Sequence, residues 1–230
     1  MDGQTERRIK DFLEKIPSGV KVVAATKCRS IELVSECPAH GFVFVEKQIT
    51  AHGIFAAGEN RVQELLSKYQ PVEGLEWHFI GQLQTNKVKY ILDKVSLIQS
   101  LDRVSLADKL EEECAKRGLT MPVLVEVKHG EELTRDGVSP DGLMAFAEYV
   151  RGKKHLTLNG LMTVMPLGSE KSAFLYKKTY KLFEKLRENF GSDIKWLSMG
   201  MSVDYLTAIE NGSNMIRPGR ALFGERFYAT

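Results

Sequence analysis

Eight short runs of strand-forming residues punctuate this chain at near-regular intervals: "VKVVAAT" (20–26), "IFAAG" (54–58), "WHFIG" (77–81), "SLIQSLD" (96–102), "PVLVEVK" (122–128), "LNGLMTV" (158–164), "IKWLSMG" (194–200) and "NMIRPG" (214–219). Stretches with apolar residues three and four apart lie between them. A strand that recurs after each helix can pair in parallel with its predecessor, because a parallel pair needs a long crossover. Eight such units in 230 residues predict an α/β fold, a single (β/α)8 TIM barrel. A doubly wound open sheet is the rival, and periodicity alone does not separate the two.

The helical stretches carry their own signals. In "RVSLADKLEEECAKRG" (103–118), Val104, Leu106, Ala107, Leu110 and Cys114 share a face, and Gly118 marks the stop. "SPDGLMAFAEYVRG" (139–152) opens with Ser139 as N-cap and Pro140 in the first turn. Only "RALFGERFYAT" follows the eighth strand, too little for a full eighth helix. The opening "MDGQTERRIKDFLEKI", with Ile9, Phe12, Leu13 and Ile16 at helical spacing, reads as an additional N-terminal helix within residues 1–18 that covers the gap. "AHG" occurs twice, twelve residues apart, and residues 39–53 read as an insertion. If "FVFVE" (42–46) were itself the second strand, the count would slip by one.

With 43% hydrophobic and 27% charged residues, the chain can bury a large core, and we read residues 1–230 as one domain. Its 32 basic and 30 acidic residues leave a net charge of +2, no electrostatic footprint for nucleic acid. No apolar run approaches the ~20 residues that cross a bilayer. Cys28, Cys37 and Cys114 are odd in number and form no CxxC pair, so we expect no metal site and a reducing, cytoplasmic setting. His40, His52, His129 and His155 lack ligand spacing and read as loop or surface residues.

In a parallel barrel, chemistry gathers at the C-terminal strand ends, where Lys27 falls. Stepping by two places Lys27, Ala25 and Val23 on one face, with Val22 and Ala24 on the other. An ordinary lysine, with a pKa near ~10.4, offers less than ~0.1% free amine at neutral pH. Desolvation lowers that pKa and frees the amine to attack an aldehyde; a strand-end lysine reaching solvent is the alternative. In "SMGMSVDYLTAIENG" (198–212) a strand turns through Gly200 into a helix, with Ser202 as N-cap and Asp204 in the first turn. "IRPGRALFG" (216–224) makes a second such turn at Arg217 and Gly219. Helix starts bind anions, and the loops after strands seven and eight of such barrels frequently hold phosphate. An aldehyde-capturing lysine beside a phosphate cradle describes pyridoxal 5'-phosphate.

Six segments, "ATK", "GENRVQELL" (58–66), "WHFIGQLQTNKVKYI" (77–91), "GLMTV" (160–164), "SMGMSVDYLTAIENG" and "IRPGRALFGER" (216–226), resemble in order the YggS/PROSC family of pyridoxal phosphate homeostasis proteins. That resemblance implies a fold-type III barrel like the N-terminal domain of alanine racemase, with pyridoxal phosphate as cofactor held as an imine on Lys27. By the same resemblance Ser202, Gly219 and the backbone at Arg220 contact the phosphate, Arg217 lies near the pyridine nitrogen and Asn60 near the ring. His78 either approaches the cofactor or is a hydrogen-bonded barrel histidine. The chain departs from the family at "CRS" after Lys27, where relatives commonly carry proline. It departs again at Arg220, where Thr or Ser is common, and at Arg135, where many have Lys.

Two functions remain open on these grounds. One is a non-catalytic protein that buffers pyridoxal phosphate or delivers it to apo-enzymes, as a monomer. The other is an amino-acid racemase, which needs a second acid–base group across the substrate. A phosphosugar enzyme without the cofactor is the third and most distant reading.

Overall fold

The structure is a computed structural model and describes residues 3–26, 49–69, 71–129, 137–165 and 172–224. The strands β1 (Lys21–Ala25), β2 (Ala56–Glu59), β3 (Glu76–Phe79), β4 (Leu97–Leu101), β5 (Met121–Glu126), β6 (Leu156–Met162), β7 (Trp196–Ser198) and β8 (Met215–Ile216) follow one another around a closed barrel. Every neighbouring pair is parallel, and the ring closes through Lys21 opposite Met215 and Val22 opposite Ile216. That closure removes the open-sheet rival. β1 pairs directly with β2, Val23 opposite Ala56, so the second strand is the one counted from "IFAAG"; "FVFVE" and most of the 39–53 insertion lie outside the described residues.

Alternation along the strands sorts the core into two parts. Val23, Ala56, Leu97, Leu124, Met162 and Met215 fill the barrel interior. Val22, Ala24, Ala57, Phe79, Leu161, Leu197 and Ile216 belong instead to the larger cluster between strands and helices. Val23 therefore faces the barrel interior, and Val22 and Ala24, which stepping by two sets on the other face, pack outward.

Helix α1 (Gly3–Leu13) buries Ile9 and Phe12 and packs against the four-residue helix after β8. It thus covers the place a full eighth helix would occupy. Between them come α2 (Val62–Lys68), a 3-10 turn (Thr85–Tyr90), α3 (Val104–Arg117), α4 (Leu143–Arg151), α5 (Ser172–Phe190), α6 (Tyr205–Glu210) and finally α7 (Arg220–Phe223). α3 ends as its sequence predicts, at Gly118 with φ 62°, where the Leu119 N–H donates to the Cys114 carbonyl. Val104 does not join its buried face; it is 47% exposed, the first residue of the helix lying beyond the reach of the sheet. Helix α4 begins one turn later than expected. Ser139 Oγ accepts the Gly142 N–H at 3.2 Å and closes a turn ahead of the helix, so Pro140 precedes it. His129 is buried rather than at the surface, its Nε2 2.6 Å from Thr179 Oγ1.

Candidate functional site

The ends of β7, β8 and β1 meet at one seam. Ala25 N–H donates to the Pro218 carbonyl at 2.8 Å, and the Arg217 N–H donates to the Gly200 carbonyl at 2.9 Å. Gly219 lies so close to β1 that a Cβ there would stand 3.2 Å from the Ala25 carbonyl oxygen. Gly200 turns with φ 96°, and a Cβ on it would meet the Ala208 side chain at 2.6 Å. Only glycine lets the chain leave β7 and fold helix α6 back this tightly.

Ser202 does not cap the helix that follows it. Its Oγ accepts the N–H groups of Gly219 at 2.9 Å and Ala221 at 3.1 Å, at the start of α7, while Asp204 Oδ1 takes the Met201 N–H ahead of α6. The nearest unsatisfied donors belong to the turn after β8, which local chain order does not reveal. Two backbone N–H groups therefore converge on a single oxygen at the seam, the arrangement that suits an oxygen of an anion. A cleft of about 470 Å³ opens beside Ser202 and Ala221, with Arg7, Arg8 and Lys15 of α1 and its exit on its wall. Arg220 is exposed at the first position of α7.

Arg217 is buried, 4% exposed, on the inward side of β8. Its Nη1 donates to Ser198 Oγ at 2.6 Å and its Nη2 to the Thr163 carbonyl at 2.8 Å. Burial pulls its pKa down, while Glu126, Tyr176 and Asp204 pull it back up through space. His78 sits inside the barrel rather than at its mouth, fully buried, with Nδ1 2.9 Å from Gln99 Nε2 and Nε2 3.1 Å from Glu76 Oε2. Asn60, directly after β2, keeps its Oδ1 buried with no hydrogen-bond partner among the described residues.

The opposite face of β1 and β2 carries a group that sequence reasoning missed. Glu59 Oε1 accepts from Thr26 Oγ1 at 2.6 Å and from Lys68 Nζ at 2.9 Å, and the same ammonium donates to the Thr26 carbonyl at 2.9 Å. Glu59 is 0% and Lys68 5% exposed. Burial raises the Glu59 pKa, opposed by Lys68 and Thr26. The signal was the nine-residue spacing within "GENRVQELLSK", which brings the end of α2 back over the end of β2. Lys27 and Cys28 follow Thr26 in the chain and lie outside the described residues, as does Arg135. Gly200, Ser202, Arg217 and Gly219 are brought together; Asn60 stands across the mouth at β2, and His78 one layer below.

These features define a class, a closed parallel (β/α)8 barrel whose β7, β8 and β1 ends gather converging backbone donors and one buried guanidinium. The family model described as alanine racemase, N-terminal domain, matches residues 5–227. A pyridoxal phosphate homeostasis protein of Aquifex aeolicus (strain VF5) is 44% identical over 180 residues, 76% of this chain and 79% of that one. The protein of that name from Pasteurella multocida (strain Pm70) is 34% identical over 221 residues, 92% and 89% of the two chains. Among solved structures, PipY of Synechococcus elongatus PCC7942 with PLP bound has a TM-score of 0.79 at 27% identity, covering 96% of this chain and 100% of that one. Alanine racemase of Clostridium difficile 630 in complex with cycloserine, at 19% identity and TM-score 0.74, covers 96% of this chain and 58% of its own and shares the fold. The chain belongs to the family of pyridoxal phosphate homeostasis proteins.

Proposed function

We propose that the chain, acting over residues 1–230 as one barrel domain, binds pyridoxal 5'-phosphate through a reversible covalent bond to Lys27. It holds the cofactor for buffering or delivery to apo-enzymes in the cytoplasm, as a monomer and without turning over a substrate. The observation that carries this reading is the convergence of the Gly219 and Ala221 N–H groups on one oxygen at the seam where β8 meets β1. The names of the relatives and the cofactor in PipY support it.

The residues present fit the group. When bound, the cofactor supplies an aldehyde that condenses with an amine, releasing one water, and a pyridine ring able to accept electrons. Lys27, which follows the described end of β1 in the chain, would provide the amine. The turn at Ser202, Gly219 and Arg220 would hold the phosphate, with Gly200 keeping the backbone clear. Asn60 offers its unpartnered Oδ1 to the ring side of the mouth. Arg217 would hold a positive charge near the ring nitrogen, and a cation there would disfavour protonation of that nitrogen. A neutral ring is a weak electron sink, which suits holding the cofactor better than broad amino-acid chemistry. Tyr176, a candidate acid–base group on α5, donates to Asp204 at 2.7 Å, and burial pushes its ionisation well above the usual tyrosine range. It is a poor base.

Transfer decides between the readings. Loaded protein mixed with an apo-enzyme should pass on its pyridoxal phosphate, at a rate to be compared with release of free cofactor into buffer. Incubation with a single alanine enantiomer should leave optical rotation constant. Sustained loss of rotation would replace the carrier with a racemase.

A further inference from the structure

The barrel interior beneath Arg217 contains a line of polar side chains. Arg217 Nη1 donates to Ser198 Oγ, and Ser198 Oγ donates to Gln99 Oε1 at 2.6 Å. Gln99 Nε2 lies 2.9 Å from His78 Nδ1, and His78 Nε2 lies 3.1 Å from Glu76 Oε2. That carboxylate oxygen also accepts from Lys21 Nζ at 2.5 Å. Arg217 follows β8 at the mouth, whereas Lys21 and Glu76 open β1 and β3 at the far end. The line therefore runs the length of the barrel.

Its two ends fix the direction of every hydrogen bond. A guanidinium only donates and a carboxylate only accepts. Ser198 Oγ accepts from Arg217, so its own hydrogen goes to Gln99 Oε1. The Gln99 amide nitrogen then faces His78, where it must donate, and Nδ1 must carry a lone pair. The ring is neutral with its hydrogen on Nε2, given to Glu76. Each member removes the wrong orientation of the one before it, as a carboxylate does for the tautomer of a histidine. Gln99 Nε2 also touches Met215 Sδ at 3.3 Å, a weak acceptor that cannot hold the amide alone.

We propose that Ser198, Gln99 and His78 are positioning residues for Arg217, a directed line that presents a hydroxyl lone pair to the guanidinium and so holds its charge at the pyridine nitrogen with no carboxylate in contact. This deepens the reading of function above and rests on it. Among the described residues both hydrogen-bond acceptors of the guanidinium, Ser198 Oγ and the Thr163 carbonyl, are neutral, and Glu126 and Asp204 act on it through space. A directly bonded carboxylate would neutralise that charge and let the ring nitrogen take up a proton.

Two measurements test the role. Nitrogen NMR of histidine-labelled protein without cofactor should show His78 neutral at pH 7, protonated on Nε2 and bare on Nδ1. A proton on Nδ1 overturns the line. In loaded protein, Gln99→Glu keeps the shape but replaces the donor facing His78 with an acceptor. It should raise the apparent pKa of the ring nitrogen, read from the pH dependence of cofactor absorbance, and weaken pyridoxal phosphate binding about tenfold, the worth of one hydrogen bond. His78→Leu should weaken binding by a similar factor, and His78→Asn, whose side-chain oxygen can stand in for Nδ1, should recover most of it. Unchanged absorbance profiles and affinities in Gln99→Glu and His78→Leu, or equal losses in His78→Asn and His78→Leu, overturn the positioning role. If the wild-type protein binds no pyridoxal phosphate, the function falls and this role with it; normal binding with an Nδ1–H tautomer sinks the line alone.

Discussion

The two faces of β1 and its neighbours use polar groups in opposite ways. On the inward face, at the seam with β8, Ser202 gathers two backbone N–H groups and Arg217 keeps a charge bonded only to neutral oxygens. On the outward face, one residue further along β1, the charges of Glu59 and Lys68 are spent on each other and on Thr26. The first arrangement has donors to offer an anion. The second is a buried ion pair that clamps the carbonyl of Thr26, the residue preceding Lys27, with Glu64 3.6 Å from the same ammonium and Glu59 Oε2 left without a partner among the described residues. Because successive strand residues face opposite ways, a single step along the chain separates the binding face from its brace.

Breaking the brace should cost the most. Lys68→Met leaves the Glu59 carboxylate buried without its cation and should destabilise the protein by about 3–5 kcal/mol, whereas joining it to Glu59→Leu should restore most of that loss. Urea denaturation measures both, and a loss below about 1 kcal/mol in the single variant would show that the pair does not brace this edge. On the inward face, Gly200→Ala forces a Cβ into Ala208 at φ 96°. Strain and overpacking together should cost about 2–3 kcal/mol, seen as a lower midpoint of unfolding.

Ser202→Ala sharpens the contrast, because it removes an acceptor that a phosphate can replace. Stability without cofactor should fall by about 1 kcal/mol, and saturating pyridoxal phosphate should recover it, while the Lys68→Met protein should keep its deficit. Equal recovery in both would erase the difference between the faces. The smallest effect lies at the far end of the interior line. The His78 hydrogen bond, with the Lys21 ion pair, holds the Glu76 carboxyl down from 4.5 to about 2 against its partial burial. A depressed carboxyl stabilises the folded state above its unfolded pKa and loses that contribution as pH falls from about 4.5 toward 2. Glu76 is 47% exposed in its side chain, so solvent screening limits the effect to under about 1 kcal/mol. Acid titration of stability without cofactor should show a decline of that size.

The eight strands were legible because each is a short apolar run set off by helical spacing; the closing pair β1–β8 was not, since an open sheet fits the same spacing until that pairing is seen. That Val23 and Ala25 share one face of β1 was legible from alternation; that Val23 faces the barrel interior was not. Interactions between distant segments were not. Ser202 has the residue type of an N-cap, yet the N–H groups it accepts lie seventeen and nineteen residues on. Lys68 reads as the polar side of a short helix until α2 is laid over β2. Gln99, a polar residue in the middle of "LIQSL", was a visible sign of the interior line beside His78, since a buried amide demands partners. His78 had two readings in the sequence, and its position inside the barrel gives both ring nitrogens protein partners.

The central claim is a covalent bond between pyridoxal phosphate and one named amine. Borohydride reduction of the loaded protein, followed by proteolysis and mass spectrometry, should place a single adduct on the peptide containing Lys27, with none in Lys27→Ala. An adduct on Lys68 or any other lysine, or no adduct at all, would contradict the account.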